Sequence, residues 1–420
     1  MGWLAARLVV LAATLYFLLE RRLFGPSGLT IGVAVGVFIL GKAVLALVYK
    51  PRISSRTRYL KVALVVPFYE ESDTSLGRTL HSIIQQTRPV DHLIVVNDGS
   101  SMGEGAVRLW LGPLRSRINK VTYQVFPKNG GKREALAWAF RNTDCDIVIT
   151  TDSDTGLSRA TVANLVKPFA SPEVQAVTGR VAVRNRKRNL LTRFQHIIYA
   201  AAFMNQRAAQ SNFGTVLICS GAVAAYRRTT IEQHLHEFLE NKWMFGEDRH
   251  LASFALLHGK VVYQESAVAS TDVPERVPHY MRQQLRWQRG FVQNTLWTLA
   301  NFPLSHRSFW LCFLQMATGL ALLAGVVYAL ISAGPDWGKI LIYSFLTYAL
   351  LISYALHARY QELKSDEGIV ERLLMFAFTP VFGLGHFIFI VPIRTYALLS
   401  YRNKGWGSRR RTPSGFASRP

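Results

Sequence analysis

Long apolar runs at both ends of this 420-residue chain enclose a middle part of ordinary polarity. The first two runs cover residues 3–19 and 29–49, and five basic residues follow between Lys50 and Lys61. A membrane span needs about 20 apolar residues, so the two runs predict a transmembrane hairpin. Because Lys and Arg accumulate on the cytoplasmic side, the basic segment is predicted to be cytoplasmic. A signal peptide is the alternative for the first run, but a second run follows directly, which argues against it.

Apolar runs return after the middle part, at residues 309–332, 339–356 and 373–399. The first two are predicted spans. The third contains Pro380 and Pro392 and lies between charged segments. If both flanks are cytoplasmic, it crosses an even number of times, as two short bent segments or as one re-entrant hairpin. The sequence leaves both forms open.

Charge and cysteine content narrow the function classes. The formal net charge of +23 suits nucleic acid, an anionic membrane surface or an anionic substrate. With apolar runs at both ends, the lipid bilayer is the expected partner and nucleic acid is not expected. Only three cysteines occur, far apart in sequence, which argues against structural zinc and a disulfide framework.

Residues 59–274 have the pattern of an α/β domain. Short β-rich runs alternate with helical stretches, and this predicts a doubly wound, mostly parallel sheet that binds ligands at the carboxyl ends of its strands. The predicted strands include 62–66, 93–96 and 147–149, and the predicted helices include 75–86 and 132–142. Two further stretches, 190–211 and 279–300, are predicted amphipathic helices that suit a membrane interface, although soluble amphipathic helices share the pattern.

Carboxylates follow two of the predicted strands. Asp98 stands in Asn97-Asp98-Gly99-Ser100, a sequence that by itself is also a common turn. Asp152 and Asp154 follow an apolar strand with one residue between them. An extended backbone would point this pair the same way, which suits Mg²⁺ or Mn²⁺ shared with a diphosphate. A solvated loop is the ordinary alternative for such a pair.

Three other motifs carry charge or aromatic surface. Gly130 and Gly131 precede Lys132 at a predicted helix start, which suits an anion or a plain solvated helix end equally well. Asp248 lies in a second acidic pair, where an ionised carboxylate could act as a general base or merely form surface ion pairs. Arg286 and Trp287 could grip a diphosphate and stack on a sugar, or anchor the chain at a membrane interface.

Together the motifs resemble the signature of the processive branch of family-2 inverting glycosyltransferases. The five elements occur in the order of that signature: D-G-S at 98–100, G-G-K-R at 130–133, D-x-D at 152–154, E-D-R at 247–249 and Q-x-x-R-W at 283–287. The resemblance implies a glycosyltransferase A-type α/β domain inserted between α-helical transmembrane segments, with amphipathic interface helices. It also implies inverting transfer from a UDP-sugar with Mg²⁺ or Mn²⁺.

The C-terminal part resembles that of bacterial hyaluronan synthases, where a W-G-[TS]-R loop folds back over the nucleotide. Here Trp406-Gly407-Ser408-Arg409 matches that loop. Two departures put the substrate in doubt: Trp287-Gln288-Arg289-Gly290 is more similar to cellulose-type relatives, and no proline follows Ser220-Gly221. The resemblance implies UDP-GlcA and UDP-GlcNAc as donors for a growing polysaccharide. The alternative is a chitin or poly-N-acetylglucosamine synthase that uses UDP-GlcNAc alone.

The resemblance also assigns residues to the donor. Tyr69 and Lys132 would lie beside the uracil, and Asp98 would contact the nucleoside. Asp152 and Asp154 would bind the metal, with Asp154 as the direct ligand. Gln283, Arg286 and Trp287 would bind the diphosphate, and Trp406 and Arg409 would close over UDP as a gate.

On the acceptor side, the resemblance implies that Asp248 is the catalytic base. Ser220, Gly221 and Trp287 would bind the acceptor sugar. The implied domains are a transmembrane hairpin (1–50), a cytosolic glycosyltransferase domain (51–274), interface helices (275–308), a transmembrane region (309–401) and a basic tail (402–420). The expected location is the plasma membrane, with several spans and a cytoplasmic catalytic domain. A membrane-anchored scaffold with basic patches at 50–61 and 402–411 is the alternative from another class.

Overall fold

The computed structural model describes residues 41–52, 57, 59–102, 104–241, 245–332 and 367–403. It divides into two compact units. An α/β unit is formed from 51–184 and 218–272, and a helical unit from 41–50, 185–217 and 273–399, as far as these are described. The predicted spans 3–19 and 339–356 lie outside the described residues, and 41–48 is the described, helical part of the second predicted span.

The α/β unit alternates strands and helices as the sequence predicts. Its strands are β1 (Val62–Phe68), β2 (His92–Asn97), β3 (Lys120–Val125), β4 (Ile147–Thr150), β5 (Gly156–Leu157), β6 (Val174–Val183), β7 (Ala224–Arg227) and β8 (Lys260–Thr271). Its helices are α1 (Asp73–Ile84), α2 (Glu104–Arg115), α3 (Lys132–Arg141), α4 (Thr161–Val166), α5 (Arg228–Glu232), α6 (Leu235–Glu240) and α7 (Glu247–His258), and a 3₁₀ turn covers Lys167–Ala170.

The eight strands form one sheet in the order β3-β2-β1-β4-β7-β6-β8-β5. Strands β3, β2, β1 and β4 run parallel, β6 and β8 are also parallel, and β7 and β5 run against their neighbours. Every residue of β1, β2 and β4 is buried. Strands covered on both faces need a continuous apolar sequence, which is why these three read as uninterrupted Val, Ile and Leu runs. The prediction of a mostly parallel α/β sheet is confirmed.

The sheet register sets which loops meet at one edge. Because β1, β2 and β4 are parallel, the residues after Phe68, Asn97 and Thr150 all leave the sheet at the same edge. Strand β7 is antiparallel to β4, and its first residue, Ala224, pairs with Thr150. The segment that leads into β7 therefore arrives at this same edge. These four connections carry Tyr69, the D-G-S and D-x-D motifs, and Ser220-Gly221.

The helical unit confirms the two amphipathic stretches as helices. Residues 190–211 form α8 (Leu190–Ala200), a π-helical segment (Ala201–Arg207) and α9 (Ala208–Ser211), and the second stretch forms α10 (Val277–Asn301). The side chain of Asn189 caps α8 by accepting a hydrogen bond from the Thr192 amide, and the Thr192 hydroxyl accepts one from the Asn189 amide. This capping box fixes where the helix begins.

The unit also contains α11 (Arg307–Ser332) and α12 (Ile369–Ser400). Helix α12 differs from both forms predicted for 373–399, because it is one continuous helix with Pro380 and Pro392 inside it. Proline removes one backbone donor and favours a kink, but the helix can retain its remaining hydrogen bonds on both sides of each proline. Among the residues described, none of the helices combines the length and the apolar character needed to cross a membrane.

Candidate active site

Asp98 is the centre of a closed hydrogen-bond arrangement at the end of β2. Its carboxylate accepts hydrogen bonds from the amides of Gly130 and Gly131, at 2.8 and 2.9 Å, and from the side chain of Asn129 at 3.1 Å. The side chain is only 3% exposed. Burial raises the pKa of Asp98, and the two glycine amides act in the opposite direction. Asp98 thus fixes the glycine loop that starts α3, in addition to any contact with a nucleoside.

Glycine is required where this loop touches the D-G-S turn. Gly99 has φ +73°, and a Cβ there would lie 2.5 Å from the backbone of Lys128 and Asn129. Gly131, at the N-terminus of α3, has φ +90°. Both values lie in the region that L side chains rarely adopt. The glycines therefore permit the close approach of the two loops that the Asp98 hydrogen bonds hold together.

The D-x-D pair lies in a turn. The Thr155 amide donates to the Asp152 carbonyl at 3.2 Å, so the extended backbone assumed from the sequence is wrong here. Ser153 points inward and donates to Glu71 at 3.0 Å, whereas Asp152 and Asp154 are the more accessible positions. Both aspartates are thus partly exposed. A buried serine anchors the turn between them.

Lys132 joins two acidic motifs that are far apart in sequence. Its ammonium lies 2.5 Å from Asp152 Oδ1 and 3.1 Å from Glu247 Oε1. A Cβ on Gly221 would lie 2.7 Å from the ammonium and 3.5 Å from both carboxylate oxygens of Asp152. The structure therefore brings G-G-K-R, D-x-D, Ser220-Gly221 and E-D-R to one place in the α/β unit.

The charges at this place stabilise one another. Burial by itself lowers the pKa of Lys132, but Asp152 and Glu247 outweigh it and raise this pKa above the usual value. Burial by itself raises the pKa of Glu247, but Lys132 and Arg133 outweigh it and hold this pKa below the usual range. Lys132 and Glu247 are therefore both charged at neutral pH.

Asp248 lies beside this cluster in the first turn of α7. The helix follows Gly246, whose φ is +77°, and the Asp248 carboxylate accepts a hydrogen bond from the Arg249 amide at 2.8 Å. Acidic side chains are favourable at a helix N-terminus. Asp248 is half-buried and close enough to Lys132 to contribute to the raised pKa of that lysine.

Arg133 connects the helices that carry Lys132 and Asp248. It is buried, and one guanidinium nitrogen donates to the Phe238 carbonyl at 3.2 Å and contacts His250 Nδ1 at 3.1 Å. Burial, with Arg133 next to it, lowers the pKa of His250 to about 3, so this imidazole is neutral and its Nδ1 can accept. Burial lowers the pKa of Arg133 to about 10, which keeps it charged at neutral pH.

Tyr69 follows β1 and is 37% exposed. The next residue, Glu70, has φ +49°, an unusual conformation for a residue other than glycine. Its amide donates to Ser100 Oγ at 3.1 Å, and its carboxylate accepts from the Ser101 amide at 3.0 Å. This strained residue links the loop after β1 to the D-G-S turn and fixes the backbone next to Tyr69.

The predicted metal ligands have suitable chemistry for Mg²⁺ or Mn²⁺. Both are carboxylates, and Asp154 Oδ1 accepts hydrogen bonds from Thr155 and Thr271 at 3.4 and 3.5 Å. Within the described chain, no group of three or more His, Cys, Asp or Glu side chains is arranged to hold a metal. Two carboxylates are nevertheless enough for an ion that takes its remaining oxygens from phosphate and water.

The Q-x-x-R-W motif lies on α10 of the helical unit. Arg286 is exposed and Trp287 is 40% exposed, with its ring centroid 6.2 Å from that of Tyr199. Gln283 Oε1 is enclosed without a hydrogen-bond partner among the described residues. The predicted gate residues Trp406 and Arg409 lie outside the described residues.

Several residues that shape the site were missed from the sequence. Glu247 was part of a recognised motif but was given no role, and its ion pair with Lys132 spans 115 positions of the chain. Glu70, Glu71, Arg133 and His250 likewise act through distant partners. The strained backbone of Glu70 is a local feature, but a φ value cannot be read from a sequence, so no sequence signal identified these residues.

Comparisons with known proteins identify the family of this chain. Residues 60–290 match the model of a family described as glycosyltransferase like family 2. A hyaluronan synthase from Streptococcus pyogenes is 31% identical over 404 residues, covering 94% of this chain and 94% of that protein. An N-acetylglucosaminyltransferase from Rhizobium meliloti (strain 1021) is 32% identical over 367 residues, covering 84% of this chain and 82% of that protein.

A solved structure supports the fold. A mannosyltransferase from Pyrobaculum calidifontis, in complex with GDP-Man and Mn²⁺, superposes with a TM-score of 0.58 at 22% identity, covering 80% of this chain and 99% of that one. The α/β unit is thus a glycosyltransferase A-type domain, as the motifs predicted. The family model covers more than half of the chain, and the similarity to hyaluronan synthase extends over nearly all of it. This chain belongs to the family-2 glycosyltransferases.

Proposed function

We propose that this glycosyltransferase is a hyaluronan synthase. It would transfer GlcA and GlcNAc alternately from UDP-GlcA and UDP-GlcNAc to a growing polysaccharide, processively, and secrete the product through its own channel. The observation that carries the proposal is the similarity to a hyaluronan synthase over 94% of both chains, which extends beyond the family match at 60–290 in both directions. Hyaluronan is anionic, which suits a chain of net charge +23.

The proposal places the protein in the plasma membrane. Residues 1–50 and 309–401 would supply the spans, 275–308 the interface helices, and 51–274 the cytoplasmic catalytic domain. The support is the sequence pattern, namely the apolar runs at both ends and the basic segment at 50–61.

Donor binding would use the acidic edge of the sheet. Asp154 and Asp152 would hold Mg²⁺ or Mn²⁺, which when bound neutralises charge on the diphosphate and polarises the leaving group. Tyr69 would lie beside the uracil and Asp98 at the nucleoside. Lys132 would meet the diphosphate rather than the uracil, because its ammonium lies between two carboxylates on the metal side of the site.

Transfer would be a single displacement with Asp248 as general base. Asp248 takes the proton of the acceptor hydroxyl as its oxygen forms a bond to the anomeric carbon of the donor. The bond from that carbon to the phosphate oxygen breaks with its electron pair, and UDP leaves. Attack opposite to the leaving group inverts the anomeric centre and forms no covalent enzyme intermediate. Ser220 and Gly221 would position the acceptor.

The remaining predicted residues keep the roles that the family resemblance implies. Gln283 and Arg286 would bind the diphosphate, and Trp287 would stack on the acceptor sugar. Arg forms bidentate contacts to phosphate, and the Arg286 side chain is exposed on α10. Trp406 and Arg409 would close over UDP once the donor is bound.

The test is synthesis with each donor singly and together. Purified protein with Mg²⁺ or Mn²⁺ is expected to release UDP continuously only when both donors are present, and hyaluronidase should digest the product. Polymer formed from UDP-GlcNAc alone, and resistant to hyaluronidase, would overturn the proposed substrates.

That contrary result would support the second candidate, a chitin or poly-N-acetylglucosamine-type synthase. The observation in its favour is the similarity to an N-acetylglucosaminyltransferase over 84% of this chain. The residues proposed for metal binding and for the general base would be the same, because the two candidates differ in the sugar and not in the displacement.

A further inference from the structure

The contacts of Lys132 bear on how the metal enters the site. Its ammonium lies 2.5 Å from Asp152 Oδ1, an oxygen of one of the two carboxylates proposed to hold the divalent cation. A metal ion at this oxygen would lie close to the ammonium, and two cations repel strongly at such separations. A metal ion that binds through Asp152 Oδ1 therefore competes with Lys132 and favours its displacement.

Displacement is feasible because Lys132 has a second acceptor. Glu247 Oε1 lies 3.1 Å from the same ammonium, so Lys132 can give up Asp152 without losing all of its charge compensation. The lysine and glutamate side chains are 25% and 18% exposed, respectively, which makes an unpaired charge there costly. Gly221 leaves the space that the ammonium occupies, since a Cβ there would lie 2.7 Å from it.

The nucleotide changes this balance. A diphosphate brings oxygen ligands for the metal and, at the same time, new acceptors for the displaced ammonium. A metal ion that binds without the nucleotide brings no phosphate oxygens. It therefore has to compete with Lys132 for Asp152 while the displaced ammonium gains no new acceptor.

We propose that Lys132 is an internal counter-cation that makes divalent-metal binding at Asp152 depend on a nucleoside diphosphate. Metal and nucleotide then bind cooperatively, and metal alone binds weakly. The inference rests on the proposed function of this site, and it assigns Lys132 a role in the order of binding as well as in holding UDP.

The experiment measures Mn²⁺ binding to the full-length protein by electron paramagnetic resonance, with and without UDP. For the unmodified chain, UDP is expected to tighten Mn²⁺ binding by roughly 5- to 150-fold, the usual range of coupling between two ligands. Lys132→Met should tighten the binding of Mn²⁺ alone by about tenfold and reduce the coupling to UDP by a similar factor.

Two further variants keep the test valid if Lys132→Met folds poorly. Lys132→Arg retains a cation and should leave the affinity for Mn²⁺ alone close to that of the unmodified chain. Gly221→Ala retains every charge but forces the ammonium to move, so it should tighten the binding of Mn²⁺ alone, although less than Lys132→Met. Lys260→Met, which removes a lysine from an exposed pair with Glu173, is the matched control and should change neither affinity.

The outcomes separate this inference from the proposed function. If the unmodified chain binds Mn²⁺ and UDP cooperatively but Lys132→Met and Gly221→Ala leave the affinity for Mn²⁺ alone unchanged or weaker, the role of Lys132 is refuted and the proposed function stands. If the unmodified chain binds no UDP at all, the proposed function itself fails.

Discussion

The acidic site of the α/β unit and the Q-x-x-R-W motif of the helical unit are organised in opposite ways. In the α/β unit, the Asp98 carboxylate accepts hydrogen bonds from two backbone amides and one side chain, and Lys132 contacts two carboxylates. In the helical unit, Arg286 and Trp287 are exposed, and Gln283 Oε1 has no hydrogen-bond partner among the residues described. The charged groups of the acidic site already have partners within the protein. The Q-x-x-R-W motif has an exposed guanidinium and an exposed indole that can contact a ligand.

This difference in side-chain exposure and pairing indicates what each region can contribute to catalysis. The charged side chains of the acidic site are held by several partners, so their positions are fixed before substrate binds. Fixed groups of this kind suit binding of the metal and diphosphate and removal of a proton. An exposed guanidinium and indole suit contacts that form only when substrate is bound. Substitutions in the acidic site should therefore affect stability as well as activity, whereas substitutions of the exposed Q-x-x-R-W side chains should affect activity alone.

Asp248→Asn should have the largest effect. If Asp248 removes the acceptor proton, the rate of UDP release should fall by about 10²–10⁴-fold, the usual contribution of a general base. Affinity for UDP with Mn²⁺ should change little, because the amide retains the size of the side chain. Asp144→Asn, at a carboxylate that is 76% exposed, is the control. A variant that keeps a tenth or more of the activity would remove Asp248 from the proton transfer.

Arg286→Ala tests the helical unit. Loss of a group that stabilises charge on the departing diphosphate should lower kcat by about 10²–10³-fold. The melting temperature should not change, because the exposed side chain has few contacts to lose. Arg282→Ala, one turn earlier and also exposed, should keep its activity. A lower melting temperature with unchanged kcat would instead indicate a structural anchor.

Glu247→Gln tests how much the ion pair between Glu247 and Lys132 stabilises the acidic site. It removes a charged partner of Lys132, which should destabilise the α/β unit by about 1–2 kcal/mol, because Asp152 still pairs with the lysine. The pKa of Glu247 is lowered in the folded protein, so its contribution is present at neutral pH and is lost as pH falls through the folded value.

The pKa of Lys132 is raised, so its contribution is lost only as pH rises above its unfolded value. Thermal unfolding should therefore show the full difference between the unmodified chain and Glu247→Gln from about pH 5 to 9, using the unfolded pKa values as limits. The difference should narrow below pH 4. An equal difference at pH 3 and pH 7 would mean that the ion pair is not its cause.

Tyr280→Phe should have the smallest effect, with the opposite sign. Tyr280 is fully buried between Phe194 and Phe389, and its hydroxyl has no hydrogen-bond partner within the described chain. Removing a buried hydroxyl that makes no hydrogen bond should be neutral or stabilise by up to about 1 kcal/mol. The melting temperature should stay equal or rise slightly. A clear fall would reveal a partner for this hydroxyl.

The strand pattern was the most predictable part of the molecule. Strands β1, β2 and β4 have continuous apolar sequences because both faces of the sheet are covered, and this local property is visible in the sequence. The helices near 75–86 and 132–142 were found within about two residues, since caps and glycines mark their ends.

What escaped prediction depends on distant partners or on backbone geometry. The contact of Lys132 with Glu247 needs the tertiary fold, and the turn at Asp152–Thr155 forms because Ser153 is anchored by Glu71, more than 80 residues away. The prediction for 373–399 assumed that both flanks are cytoplasmic, which requires a break near Pro380 or Pro392, whereas the structure has one continuous helix, α12. The functional roles given to the site residues, including Gln283, Trp406 and Arg409, stay predictions.

Calorimetric titration of the purified protein with UDP tests most directly whether carboxylates at the edge of the sheet bind a nucleotide through a divalent cation. The account predicts measurable affinity with Mn²⁺ or Mg²⁺, a loss of at least about tenfold after chelation of the metal, and a similar loss in Asp154→Asn with metal present. UDP affinity that is unchanged by both the chelator and Asp154→Asn would contradict it.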